Sequence, residues 1–101
     1  MMNGNGREGK KVFALRVKGD SMMPEFSEGE VIIVNQDAEA VPGDFVIVKN
    51  DEEEATFRQF KKYGKTLFLH PRNPKYPDIE LKRGAHNYRI VGKVVKKEKE
   101  Y

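Results

Sequence analysis

The sequence turns at Lys18-Gly19-Asp20-Ser21-Met22-Met23-Pro24, between two apolar runs that cover residues 12–17 and 31–34. Glycine reaches backbone conformations that are closed to other residues. Aspartate and serine favour turns, and a proline ends any regular element that reaches it. The turn therefore holds Ser21 between two candidate strands. Such a serine usually hydrogen-bonds its own backbone, but it is a nucleophile where a neighbouring group can take its proton.

The composition indicates one domain with a small core and a charged surface. A chain of 101 residues suits a single domain that buries its core without crosslinks. There is no cysteine, which excludes a disulfide scaffold and thiol chemistry. The histidines, His70 and His86, do not make a metal site, so we expect no metal and no cofactor. No apolar run approaches the ~20 residues of a membrane helix, and we expect a cytoplasmic protein without membrane contact.

Basic and acidic residues are interleaved along the chain. The net charge of +3 comes from 19 basic and 16 acidic side chains. This distribution favours a solvated surface over a nucleic-acid footprint. No stretch has the sustained helical periodicity that a helix-turn-helix motif requires. The sequence therefore predicts that these residues do not contact DNA directly.

Short apolar runs separated by turns predict an all-β fold, either a sandwich or a small, mostly antiparallel barrel. The predicted strands are Val12–Val17, Val31–Val34, Phe45–Val48, Ala55–Phe60, Thr66–Leu69, Ile79–Leu81 and Tyr88–Val95. The β-branched run at 31–34 indicates a strand that is either buried on both faces or folded into a small barrel. Turns are expected at 50–54, at 61–65 and at 84–87, and a bulge or bend at Gly92. Residues 1–11 are expected to form a flexible lead-in, 12–95 the folded domain, and 96–101 a charged, frayed tail.

Short segments occur in an order that matches a known family. They are Val17-Lys18-Gly19-Asp20-Ser21-Met22, Glu28-Gly29-Glu30, Pro42-Gly43-Asp44-Phe45-Val46, Ala55-Thr56-Phe57-Arg58, Leu69-His70-Pro71-Arg72-Asn73-Pro74-Lys75-Tyr76-Pro77 and Ile90-Val91-Gly92-Lys93-Val94. Together they resemble the C-terminal domain of LexA-like and phage-type repressors, a serine peptidase family related in fold to bacterial signal peptidases. The resemblance implies an all-β domain that forms a homodimer. It also implies that operator DNA is bound only through an N-terminal domain that lies outside this sequence.

The family resemblance also implies a serine–lysine dyad. In the family the serine attacks an Ala-Gly peptide bond in the protein's own hinge during the response to DNA damage, with an activated recombinase as co-protease. Ser21 matches the nucleophile, and Arg58 occupies the position of the lysine general base. A buried lysine can lose its proton, whereas an arginine keeps its own. We therefore expect an inactive site; Lys61 and Lys62 are alternative bases, although the predicted turn would leave them solvated and charged.

Three functions remain open on this reading. The first is the dimerisation and regulatory domain of a phage-type transcriptional repressor with a disabled self-cleavage site. The second is an active serine peptidase that performs LexA-like autoproteolysis, which requires an unrecognised base. The third is an accessory factor of a mutagenesis polymerase. The chain contains no Ala-Gly dipeptide, which favours the first.

Two placements have competing interpretations. Arg58 either faces Ser21 or lies on the solvent face, paired with the acids of residues 51–54. The run Tyr88–Val95 is apolar on both alternating sets, so it predicts either a dimer contact or ordinary core packing.

Overall fold

The computed structural model describes residues 11–81 and 88–98. Its seven strands are β1 (Val12–Arg16), β2 (Val31–Asn35), β3 (Phe45–Asn50), β4 (Ala55–Tyr63), β5 (Thr66–His70), β6 (Ile79–Leu81) and β7 (Tyr88–Glu98). They form one sheet in the order β1-β2-β7-β3-β4-β5-β6, and each neighbouring pair is antiparallel. The prediction of an all-β, mostly antiparallel fold is confirmed. Across the described strands the sheet is open rather than closed into a barrel, with β1 and β6 at its ends.

Some sequence predictions lie outside the described residues. These are His86, the turn at 84–87, all but the last residue of the lead-in, and residues 99–101 of the charged tail. In the ranges 11–81 and 88–98, no helix is long and apolar enough to cross a membrane.

The strand buried on both faces is β3. Val46 and Val48 lie in one core cluster, together with Phe60 and Leu69, while Ile47 lies in a second cluster. This second cluster also contains Val17, Met22, Phe26, Ile32 and Val34. Of the two alternatives for the run at 31–34, burial on both faces is therefore wrong. In β2 the buried side chains alternate with partly exposed ones, because β2 packs against one cluster while β3 lies between two.

Two strands extend beyond the lengths that the sequence predicts. β4 continues to Tyr63, so Lys61 and Lys62 pair with β5 and only Gly64 and Lys65 form the turn. β7 continues to Glu98, and Lys96 and Lys97 pair with β2. The predicted turn at 61–65 and the predicted frayed segment from Lys96 are therefore wrong at these residues. In both cases a neighbouring strand supplies hydrogen-bond partners that local sequence does not reveal.

β7 has a bulge where it pairs with β3. Gly92 pairs with Ile47 and Ile90 pairs with Val48, so Val91 is the extra residue of a bulge. A Cβ atom on Gly92 would lie 2.5 Å from Cγ1 of Val34, which explains why only glycine fits there. The predicted bulge or bend at Gly92 is confirmed.

Candidate functional site

The turn that carries Ser21 begins where β1 ends. Gly19 has a φ of +77°, in the left-handed region that favours glycine. The Phe26 N–H donates to the Met22 carbonyl at 2.9 Å, which closes a single helical turn. The Met22 side chain is buried in the core and fixes the turn from beneath, while Ser21 is half-buried. Gly19 and the buried Met22 thus position Ser21 at the edge of the core.

β4 brings Arg58 to this serine. Nη1 of Arg58 donates hydrogen bonds to Oγ of Ser21 at 2.9 Å and to the carbonyl of Phe57 at 2.7 Å. Arg58 pairs with Val46 across the β3–β4 ladder, which places it on the face of Thr56 and Phe60, as strand alternation predicts. The structure therefore brings together the two residues that the sequence singled out.

In the β3–β4 hairpin, Glu53 pairs with Arg89 and not with Arg58. Arg89 donates from Nη2 to both carboxylate oxygens of Glu53, at 2.9 and 2.8 Å. The hydrogen bonds and charge of Arg89 lower the pKa of Glu53. The alternative in which Arg58 lies on the solvent face and pairs with residues 51–54 is wrong.

The Arg58 guanidinium is a half-buried cation. Burial lowers the pKa of Arg58, and the nearby Tyr88 and Tyr76 act in the opposite direction. The ordinary pKa of an arginine lies far above physiological pH, so this side chain keeps its proton despite the lowering. Its Nε is buried and has no hydrogen-bond partner in the part of the chain that the structure describes. The group next to Ser21 is therefore a donor without the capacity to accept a proton.

The alternative bases lie elsewhere on β4. Lys61 is an odd number of residues from Arg58 and points to the opposite face of the sheet. Lys62 shares the face of Arg58, but it lies four positions further along the strand, about 13 Å away. Neither lysine is therefore placed to take a proton from Ser21.

The proline-rich loop at 71–77 also holds the serine turn, through hydrogen bonds from Asn73 and Tyr76. The side-chain amide of Asn73 donates to the Asp20 carbonyl at 2.9 Å, and its backbone N–H donates to the Ser21 carbonyl at 3.0 Å. The Tyr76 hydroxyl donates to the Asp20 carboxylate, which raises the pKa of Tyr76. The sequence indicates this loop only as one of the segments that carry the family resemblance, without a role for Asn73 or Tyr76. The polar residues placed between its prolines were the available signal.

A second set of contacts joins the same loop to β4. Arg72 donates to Oε1 of Gln59 at 3.0 Å and lies 3.8 Å from a carboxylate oxygen of Glu25. Gln59 in turn donates to the Gly43 carbonyl at 2.9 Å. These contacts fix the position of the loop relative to the strand that carries Arg58.

The described residues offer little to a metal ion. Nδ1 of His70 lies 2.7 Å from Oδ1 of Asp78, at the end of β5. Within 11–81 and 88–98 no group of three or more histidine or acidic side chains is arranged to hold a metal.

A groove of about 310 Å³ lies among β1, β2, β3 and β4, and neither Ser21 nor Arg58 is among its lining residues. Two of its segments lead directly to the pair, residues 15–18 before the serine turn and residues 55–57 before Arg58. Its apolar lining consists of Leu15, Val17, Ile32, Ile47, Ala55 and Phe57.

Comparison with known proteins shows the family to which the chain belongs. A family model described as Peptidase S24-like matches residues 1–95. The chain belongs to the Peptidase S24-like family. It is 39% identical over 84 residues to the LexA repressor of Geobacter sp. (strain M21), an overlap of 82% of this chain and 41% of that protein. The resemblance to LexA-like C-terminal domains is confirmed, and the chain spans less than half the length of this relative.

Proposed function

We propose that this chain is the dimerisation and regulatory domain of a LexA-like, phage-type repressor whose self-cleavage site is inactive. The observation that carries the proposal is the 2.9 Å hydrogen bond from Nη1 of Arg58 to Oγ of Ser21. By family resemblance, a lysine general base belongs at the position of Arg58. The serine is thus kept, and its base is replaced by a permanent cation.

An arginine in place of the family's lysine disables self-cleavage at its first step. Attack on a peptide carbonyl requires the Ser21 hydroxyl to transfer its proton to a base as the new bond forms. A lysine in a desolvated site can be neutral and accept that proton, but a guanidinium has only donors. The Arg58 N–H also occupies a lone pair of Oγ, the atom that would attack. The hydroxyl therefore remains a hydrogen-bonding group.

The family supports the remaining parts of the proposal. Operator DNA would be bound by an N-terminal domain, in a cytoplasmic repressor that responds to DNA damage through an activated recombinase. Dimerisation would use β7, where Ile90 and Val95 are 40% and 50% exposed. Val91 and Val94, by contrast, pack against the core, which supports the core-packing role for this part of β7.

The test is a cleavage assay on this domain fused behind a hinge that contains an Ala-Gly bond. The fusion protein is incubated from neutral to alkaline pH and its mass is followed with time. We expect the parent to remain intact and Arg58→Lys to be cleaved, since a lysine amine can accept the serine proton. Arg58→Lys combined with Ser21→Ala is the matched control and should remain intact. Cleavage of the parent that disappears with Ser21→Ala contradicts the proposal and indicates an active peptidase.

A further inference from the structure

We infer that the end of the β4–β5 hairpin is a basic arm that binds the phosphate backbone of duplex DNA. The inference rests on the proposed function, because a repressor domain is held beside DNA and can use weak contacts with it. Averaged over the whole chain, the charges predict no nucleic-acid footprint. At this hairpin, however, the fold presents three lysines with no acid between them, Lys61, Lys62 and Lys65.

The end of the hairpin projects beyond the rest of the sheet. β3 pairs with β4 only as far as Gln59, and the loop before β3 adds backbone hydrogen bonds only to Phe60. On the other side, β6 pairs with β5 only from Leu67 onward. Among the described strands, residues 61–66 therefore form a two-stranded ribbon with no neighbouring strand on either side.

The ribbon carries positive charge on both faces and at its tip. Strand alternation places Lys61 and Lys62 on opposite faces, and Lys65 lies in the turn. Within residues 11–81 and 88–98, none of the three has a carboxylate within 4.0 Å. Along the ladder from Lys61, the first acid is Glu80, two strand spacings or about 10 Å away. The three ammonium groups are therefore available to an anionic partner.

The shape of the ribbon favours duplex DNA over a flat anionic surface. A two-stranded ribbon fits the major groove, which is about 12 Å wide and has phosphates along both edges. Lysines on both faces of the ribbon can reach both edges at once, whereas a membrane surface would contact only one face. The Tyr63 and Phe68 rings lie 5.2 Å apart and stiffen the ribbon, so little ordering is required on binding.

The opposite end of β4 sets the direction of approach. Asp51, Glu52 and Glu54 lie just before β4 and are exposed, about 26 Å from the basic tip along the strand. DNA repels this acidic end and attracts the basic one, so the arm approaches DNA with its tip first. Three phosphate contacts give only weak binding, but a domain that the rest of a repressor holds near DNA has a high effective concentration.

The test titrates this chain with a short DNA duplex of mixed sequence over a range of salt concentrations. Binding is followed by fluorescence anisotropy of the labelled duplex and by ¹⁵N chemical shifts of the chain. We expect the largest shifts at residues 61–66. The logarithm of the affinity should fall against the logarithm of salt concentration with a slope of about −2.7, the value for three neutralised phosphates.

Two double variants with the same loss of charge separate the arm from net charge. Lys62→Gln with Lys65→Gln should change the slope to about −0.9 and weaken binding at least tenfold at the lowest salt concentration. The matched control, Lys11→Gln with Lys18→Gln, removes two equally exposed lysines on either side of β1 and should keep the parent's slope. Circular dichroism checks that each variant is folded.

Three results overturn the inference. The first is an equal loss of affinity in the two double variants, which indicates an effect of net charge alone. The second is tighter binding of the separated single strand than of the duplex. The third is tighter binding of polyglutamate or of phosphatidylglycerol vesicles, which indicates an acidic protein or a membrane as the partner. The cleavage assay is independent of these measurements: Ser21-dependent cleavage of the parent contradicts the proposed function, whereas these three results contradict only the inference.

Discussion

Asn73 donates its side-chain amide to the carbonyl of Asp20 at 2.9 Å, across 53 positions of sequence. Its backbone N–H also binds the carbonyl of Ser21 at 3.0 Å. One loop residue thus fixes two successive carbonyls of the serine turn, while Arg58 fixes the serine hydroxyl from β4. The direction of Oγ is therefore set jointly by two elements that are remote in sequence.

Replacing Asn73 should weaken the whole domain. Asn73→Ala removes the hydrogen bond to Asp20 and leaves a partly buried carbonyl without it, so the free energy of unfolding should fall by about 1–2 kcal/mol. Urea denaturation measures the change. Gln36→Ala, at an exposed position after β2, is the control and should change stability by less than about 0.5 kcal/mol. An equal effect of the two substitutions would show that Asn73 does not hold the turn.

Tyr76 should make stability depend on alkaline pH. Its hydrogen bond to the Asp20 carboxylate, followed by the charge of that carboxylate, raises the pKa of Tyr76 above 10.0. The folded state therefore favours the neutral phenol, and this stabilisation is complete below the unfolded pKa. It is lost as pH rises through the higher, folded pKa. We expect the stability difference between the parent and Tyr76→Phe to be constant below pH 9 and to shrink above about pH 10. Urea denaturation from pH 7 to 11 checks this, and a difference that does not vary with pH contradicts it.

Arg58 should be dispensable for stability. Arg58→Met keeps the apolar stem of the side chain and removes a half-buried cation whose Nε has no hydrogen-bond partner in the described ranges. We expect the free energy of unfolding to rise by about 1 kcal/mol, as it does when poorly compensated buried charges are replaced. Arg89→Met breaks an exposed ion pair and should lower the free energy of unfolding by less than about 1 kcal/mol. A loss above 2 kcal/mol in Arg58→Met would show that the guanidinium is structural.

The sequence predicts the central part of the site but not its surroundings. Strand alternation places Arg58 on the face of Thr56 and Phe60, and the order of the motifs pairs it with Ser21. The contacts of Asn73 and Tyr76 with Asp20 join distant segments. The polar residues between the prolines indicate that the loop makes contacts, but no local pattern identifies Asp20 as the partner.

The charged end of β7 shows the same limit. Lys97 donates to the Glu25 carbonyl at 2.8 Å and lies 5.0 Å from the centre of the Phe26 ring. From local sequence alone, Lys96 and Lys97 are predicted to lie in a solvated tail. Both the cation–π contact and the pairing with β2 depend on residues that are distant in sequence but close in the fold.

The exposed side chains of β7 should control association. Ile90→Lys places a charge on an apolar side chain that is 40% exposed, so it should shift a dimer towards monomer by at least tenfold in dissociation constant. Light scattering across micromolar concentrations measures the shift. Val41→Lys, at a position 51% exposed outside any strand, is the matched control and should leave association unchanged. An identical monomer–dimer equilibrium in the parent and Ile90→Lys would exclude this part of β7 from the interface.

Gly92 and Val34 should be energetically coupled. In Gly92→Ala the new Cβ would lie 2.5 Å from Cγ1 of Val34, and the resulting overpacking should cost about 2 kcal/mol. Val34→Ala, at a fully buried position, should cost a similar amount, about 2 kcal/mol, through a cavity. In the double variant the alanine methyl enters the space that the valine vacates. Its loss should therefore be smaller than the sum of the single losses by at least about 1 kcal/mol.

The control for this coupling is Gly64→Ala in the β4–β5 turn. Gly64 has a φ of +62° and open space around its Cα, so the substitution costs backbone strain of about 1 kcal/mol without touching Val34. Combined with Val34→Ala, its effect should be additive, because the two sites share no contact. Urea denaturation of the two double-mutant cycles measures both coupling energies. Additivity in the Gly92 cycle would mean that β7 shifts to make room for the methyl group, and that the bulge at Val91 does not require a glycine beside it.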